Sequence, residues 1–248
     1  MIRSIFYILT IFFPLFSHCQ MMEAKYMVTQ NYVIPNEGAD SDRISVKLTG
    51  HLYRNNNTYI YFEKPDYLQQ LVQGNLPYEN KGNNYRTLSL SIDTMQEIYY
   101  TNYDSLVTRF RSELYGHPVT NYLQKFDPDF LTWELSPETK KINDLLCQKA
   151  TLIRYGQLQW IVWFCSSIPM KSGMSFIKGV PGLVVEADFV PIKKHYELTG
   201  LNKQQILSDT VFWPAVFNEP FSKAADLKKS KETKSETKKM KQLELLKQ

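Results

Sequence analysis

The chain has 248 residues, 43% of them hydrophobic and 14% aromatic, with a formal net charge of +4. From Ser222 onward nine lysines stand against four acids, a surplus of five that leaves residues 1–221 at −1. A nearly neutral body excludes a nucleic-acid-binding fold, which carries its positive charge on a folded face, and the length suffices for one domain with a real core.

The amino terminus predicts a secretion signal over 1–19. Arg3 supplies a positive start, residues 5–16 are apolar apart from Thr10 and Pro14, and Ser17-His18-Cys19 precedes a cut before Gln20. The twelve-residue apolar run is too short to cross ~30 Å of hydrocarbon as a helix. Lipidation of Cys19 is the rival reading, and His18 and Phe16 fit it poorly. No later stretch is long or charge-free enough to span a membrane. The expectation is an exported protein, periplasmic or envelope-associated, with its folded body over 20–221.

Period-two alternation dominates that body. Residues 43–53 place Ile44, Val46, Leu48 and Leu52 on one side and Lys47, Thr49 and His51 on the other. Asn55-Asn56-Asn57 and a second alternating run over 58–63 complete a β-hairpin. Further strands are expected over 86–92, 97–103, 106–110, 121–126, 131–135, 145–154, 158–165, 183–189 and 194–201, with single helical turns near 66–72 and 203–208. Short strands at regular spacing predict a mainly β domain: one antiparallel sheet, curved, or a partly open barrel or sandwich. Residues 222–248 change composition to lysine, glutamate, serine and threonine. They read as a solvated, disordered or helical basic tail, and the sharper reading is contact with anionic lipid or an acidic partner.

Cys147 and Cys165 are the two cysteines beyond the signal. They flank a hairpin whose turn is taken as Tyr155-Gly156-Gln157. Pairing Arg154 with Leu158 makes facing positions sum to 312, which sets Cys147 opposite Cys165 at a Cβ separation of ~4.5–5.5 Å, within reach of a disulfide after local adjustment. Two separate buried thiols are the alternative.

The strands 183–189 and 194–201 carry the acids. Matching apolar faces pairs Val185 with Leu198 and Ala187 with Tyr196. Asp188 then falls opposite His195 and Glu186 opposite Glu197, so all four share a face. That makes them metal-ligand candidates, since facing acids repel unless a cation or proton intervenes. The plainer reading is a solvated face, with Lys193 and Lys194 balancing its charge. Hydrolase, phosphate-loop, dinucleotide and His-Glu-x-x-His patterns are missing, so no catalytic residue and no cofactor is assigned.

Gly179-Val180-Pro181-Gly182-Leu183-Val184 resembles the signature of the GLPGLI family, exported proteins of Bacteroidota. The similarity runs from Trp133-Glu134-Leu135 through Lys140-Lys141-Ile142, Cys147-Gln148-Lys149-Ala150, the aromatic strand 160–167 with Ile168-Pro169, and Gly173. Val180 and Val184 replace leucine and isoleucine of the signature, and Met174 stands where a proline is common. Cys165 departs from the family pattern too. The resemblance implies an exported envelope protein and supplies no reaction. Pro181 and Gly182 suit the central positions of a type II turn, so the motif reads as structural.

Three functions follow as expectations. The first is a binding or accessory module of outer-membrane or secretion machinery, recognising an envelope protein through a sheet edge or face. The second is a periplasmic carrier or sensor of an apolar ligand on an aromatic sheet face, drawn from the strand aromatics Tyr59, Tyr61, Tyr99, Tyr100, Tyr103, Trp133, Trp160, Trp163 and Phe164. The third is a metal protein or enzyme using Glu186, Asp188, His195 and Glu197.

Overall fold

Two-residue turns organise the sheet locally. Asn143 and Asp144, and Tyr155 and Gly156, all hold positive φ (47°, 63°, 54° and 72°), the pairing that matches the twist of flanking strands in a tight hairpin. A computed structural model of the protein describes residues 21–34, 42–66, 75–79, 85–89, 97–114, 117–126, 132–203 and 207–223. The expected signal, the tail beyond 223 and most of the expected turn at 66–72 lie outside these residues.

Fourteen strands follow in chain order: β1 (Met21–Ile34), β2 (Asp42–Asn55), β3 (Thr58–Pro65), β4 (Asn75–Glu79), β5 (Tyr85–Ser89), β6 (Ile98–Asn102), β7 (Val107–Leu114), β8 (His117–Lys125), β9 (Glu134–Ile142), β10 (Leu145–Arg154), β11 (Gln157–Cys165), β12 (Leu183–Phe189), β13 (Lys194–Asn202) and β14 (Phe221–Lys223). Twelve form one sheet in the order β14-β8-β7-β6-β3-β2-β1-β13-β12-β11-β10-β9, and β4 and β5 pair separately. The sheet does not close into a barrel. It is antiparallel except that β14 runs parallel to β8. Helical structure among the described residues is confined to short 3-10 segments, including Val190–Ile192, Asp209–Phe212 and Ala215–Asn218, and no helix is long and apolar enough to cross a membrane.

The sheet curls, and the chain between β11 and β12 shows how far. Phe176 rests on Tyr99 of β6 and Phe110 of β7, with ring centroids 4.9 and 5.9 Å away. Seven strand spacings separate β11 from β7, about 34 Å if the sheet were flat. Eleven residues from Cys165 to Phe176 would cover that only if almost fully extended. The segment instead turns at Ile168, whose N–H donates to the Cys165 carbonyl, and again at Met174–Ile177. Residues 166–182 are therefore a strap across the hollow of a curled sheet.

Beneath the strap lies the main core, with Tyr26, Tyr59, Tyr61, Tyr99, Phe110, Tyr122, Trp160 and Tyr196 on the inner face and Met174, Ile177 and Val180 supplied by the strap. Each such large side chain contributes about 1.5–3 kcal/mol on burial. A smaller cluster covers the outer face of β3 and β6, where Leu207, Phe212 and Phe217 pack on Ile60 and Ile98. Trp160 and Trp163 fall on opposite faces as alternation requires.

Three expectations need correction. Residues 21–34 form a long central strand that pairs with both β2 and β13, whereas the sequence reading assigns them no element. The turn of β10–β11 is Tyr155-Gly156, with Arg154 opposite Gln157. A bulge between Leu152 and Ile153 then restores the 312 sum, as in Gln148 opposite Phe164. Gly182 does not hold positive φ; Gly179 does, at 79°. Gly182 is instead needed for space, since a Cβ there would meet the Cys165 carbonyl oxygen at 2.4 Å.

Candidate functional site

The strap is bound to the inner face by hydrogen bonds at both of its ends. The Arg54 guanidinium donates to the Pro169 carbonyl at 3.1 Å, and the Tyr59 hydroxyl accepts from the Lys171 N–H at 3.2 Å. Tyr103 donates its hydroxyl to the Ser172 carbonyl and accepts from the Gly179 N–H at 3.1 Å. Trp133, just before β9, donates its indole N–H to the Lys178 carbonyl at 2.7 Å. Gly173 lies so close to Tyr59 that an added Cβ would meet the Tyr59 Cβ at 2.3 Å. Trp133, Gly173 and Gly179 thus share one job, which is closing this segment over the sheet.

Two buried lysines mark the inner side. Lys194 opens β13 in phase with Tyr196 and Leu198, so it points inward rather than balancing the outer acids as expected from sequence. Its ammonium donates to Glu63 Oε2 at 2.6 Å, with side chains only 9% and 3% exposed. Tyr61 donates to the other Glu63 oxygen at 3.0 Å. Glu97 accepts from Tyr99 and, at 3.1 Å, from Ser112. Burial first, then the Glu63 charge, raises the Glu97 carboxyl above its ordinary range. Burial alone would lower the Lys194 ammonium, and Tyr196, Glu63 and Glu97 more than reverse this, so it stays protonated. This cluster is satisfied within itself.

Lys178 is different. It is 8% exposed, and its ammonium stands 5.7 Å from the Phe176 ring centroid and 5.9 Å from that of Phe126. No carboxylate of the described residues pairs with it. Burial alone lowers its amine to about 8.

On the outer face, the acidic hairpin folds in the expected register, with Glu186 opposite Glu197 and Asp188 opposite His195. Ligand atoms of Glu186, Asp188 and His195 lie within 4.8 Å of one another; Glu197 lies outside that group. His195 Nδ1 stands 2.8 Å from Asp188 Oδ1. That hydrogen bond, opposed by partial burial and assisted by the charges of Asp188, Glu186 and Glu197, raises the imidazole above its ordinary value. Lys140 of β9 takes Glu186 Oε2 at 2.8 Å and sits 4.3 Å over the Trp163 ring. The three ligands would suit a divalent cation only if Lys140 moved away and His195 released Asp188. As it stands, Lys140 holds Glu186 and His195 holds Asp188.

Cys147 and Cys165 are both buried free thiols here, on facing positions of β10 and β11. Burial, with Cys165 as the next contributor, pushes the Cys147 thiol to about 11.

The sequence reading finds the outer hairpin and misses the inner lysines. A signal for Lys194 and Glu63 exists, because each is a charge in phase with buried tyrosines of its own strand. Lys178 lies in a strap without periodicity and gives no such signal.

No protein-family model matches the chain, and no curated protein does. Sixteen solved chains match it by structure. PNGF-II in a C2 crystal form aligns with TM-score 0.48 and 15% identity over 82% of this chain and 31% of that one. In a P21 form the values are 0.46, 13%, 85% and 32%. An uncharacterized conserved protein from Thermus thermophilus gives 0.36 and 7% over 83% and 91%. The chain spans about a third of the length of the PNGF-II chains. None of these likenesses transfers a residue role or an activity.

Proposed function

We propose that the protein is an exported envelope protein that binds rather than transforms, and that its inner sheet face takes an apolar ligand beneath the strap. The supporting observation is that, among the described residues, the strap over 166–182 packs across the aromatic inner face of a sheet that does not close. The strap also leaves Phe176 40% exposed where it lies on Tyr99 and Phe110. Concave aromatic surfaces of this kind are the usual setting for apolar ligands.

Recognition of an envelope partner by strand addition has less support. β9 is a sheet edge, but it carries Pro137, Lys140 and Lys141, residues that blunt an edge against pairing. The other edge, β14, has only 3 residues. The basic tail over 222–248 is a proposed contact for anionic lipid, and liposome co-sedimentation with and without it reports that contact.

Protein purified from its own envelope, extracted with organic solvent and compared by native mass spectrometry, tests the main reading. A co-purifying apolar molecule is expected, and the same sample reports three linked features. A mature start at Gln20 is the expected mark of export. A mass lower by two hydrogens, without alkylation under non-reducing denaturation, marks a Cys147–Cys165 bridge formed in an oxidising compartment. A ligand-free, metal-bearing sample would instead favour the Glu186, Asp188 and His195 group.

A further inference from the structure

Lys178, which no carboxylate of the described residues pairs with, has polar neighbours on the same face. Among the described residues the Tyr122 hydroxyl and the Thr101 and Thr108 side-chain hydroxyls are buried without a hydrogen-bond partner. Thr101 and Thr108 face each other across β6 and β7, in phase with Tyr99 and Tyr103 on one strand and with Phe110 on the other. Tyr122 packs its ring 5.2 Å from Phe110. Phe110 touches Phe176, and Phe126 touches Tyr103 at 5.4 Å. These are the rings that flank the Lys178 ammonium. One buried cation and three spare hydroxyl donors therefore share the β6–β8 part of the inner face.

Buried polar groups are nearly always hydrogen-bonded, and exceptions call for an explanation. A buried ammonium without a counter-ion is the costliest kind. Cation–π contact with two rings offsets only part of that cost. Every group in this set can donate, and the ammonium can only donate. The missing species is thus an acceptor carrying negative charge. The surrounding surface is aromatic, so the rest of that species is apolar.

The strap carries backbone strain over this place. Ser175 is buried and holds φ 51°, a left-handed conformation that costs a non-glycine residue roughly 1–2 kcal/mol. It separates fully buried Met174 from half-exposed Phe176, in a turn closed by the Ile177 N–H on the Met174 carbonyl at 2.9 Å.

We infer that the apolar ligand carries a carboxylate head, and that the Lys178 ammonium and the hydroxyls of Tyr122, Thr101 and Thr108 receive it beneath the Phe176 side of the strap. This deepens the apolar-ligand reading and rests on it. A single carboxylate matches the single buried charge; Lys171, whose ammonium lies 5.4 Å over the Tyr103 ring, is exposed and adds only screened attraction.

The test uses the mature protein, stripped of bound lipid, with dodecanoate, dodecanol and dodecyl phosphate as probes in calorimetry. Wild type is expected to prefer dodecanoate over dodecanol by tenfold or more. Lys178→Met should level the two, and Lys178→Arg should keep part of the preference. Equal affinity in wild type, or a preference unchanged by Lys178→Met, overturns the carboxylate assignment and leaves apolar binding standing. Dodecyl phosphate binding more tightly than dodecanoate overturns the choice of head. Absence of binding by all three probes removes the apolar-ligand reading itself. A measurement that needs no variant is the carbon-13 titration of carboxyl-labelled dodecanoate on the protein. Its apparent pKa should fall below that in a neutral detergent micelle, and an unshifted or raised value overturns the ammonium contact.

Discussion

Lys194 and Lys178 are the same side chain at nearly the same burial, with opposite outcomes. Lys194 has Glu63 at 2.6 Å and Glu97 beyond it, and its ammonium is held charged. Lys178 has two aromatic faces and, among the described residues, no acid, and its amine falls to about 8. Burial is common to both, so the difference lies in what the chain supplies as a partner. Among the described residues the chain satisfies one buried lysine internally and not the other, and it is on the second that the ligand proposal rests.

The largest effect should come from breaking the satisfied one. Glu63→Ala leaves Lys194 and the Tyr61 hydroxyl buried without their acceptor, and removal of one partner of a buried pair costs about 3–5 kcal/mol. Urea unfolding measures it. Lys194→Met combined with Glu63→Leu should recover much of that loss, because it removes both charges at once. Full retention of stability in Glu63→Ala alone would mean that the pair is not buried as described.

Lys178 should behave in the opposite sense. Its folded pKa of about 8 lies below the ~10.4 of an unfolded lysine. Below pH 8 both states are protonated and the desolvation cost is present in full. Between pH 8 and ~10.4 the unfolded chain binds more protons than the folded one, so stability rises with pH. The rise attributable to this residue is on the order of 3 kcal/mol. Unfolding curves across this range, wild type against Lys178→Met, isolate it: the variant should be as stable as wild type or more so at pH 7, and its profile should be flatter.

Gly173→Ala tests whether the strap is what keeps the two sites apart from solvent. The added Cβ meets Tyr59 at 2.3 Å, and overpacking of this kind costs about 1–3 kcal/mol. Lifting the strap should expose Lys178 and leave Lys194 covered. Amine labelling followed by peptide mass mapping should therefore accelerate at Lys178 alone.

What was legible in the chain divides along the same line. The register of β12 on β13 follows from alternation because apolar and polar residues are cleanly separated there, and it holds for Glu186–Glu197, Ala187–Tyr196 and Asp188–His195. The β10–β11 register survives a wrong turn because the bulge at Leu152 compensates the shorter loop. β1 is harder to see, since Met21 and Met27 dilute the period-two run of Met22, Ala24, Tyr26 and Val28. The sheet order and the strap depend on pairings between residues more than a hundred positions apart, such as Tyr26 donating to the Val184 carbonyl. No local pattern encodes those. Gly182 illustrates the limit: composition suggests a turn glycine, while three-dimensional proximity to Cys165 gives the actual reason.

The smallest effect belongs to the outer hairpin, the face that sequence alone makes most conspicuous. His195 is bonded to Asp188 with its folded pKa raised, so its contribution is fully present below the unfolded value of ~6.5 and is lost as pH rises through the folded one. Both side chains are more than a third exposed (36% and 43%), and screening by water limits such pairs to about 0.2–1 kcal/mol. His195→Asn should therefore lower stability slightly at pH 5–6, by an amount that shrinks as pH rises through the folded value. It should not alter dodecanoate binding. A drop in ligand affinity on this substitution would couple the outer face to the inner one and end the distinction between the outer hairpin and the proposed inner site.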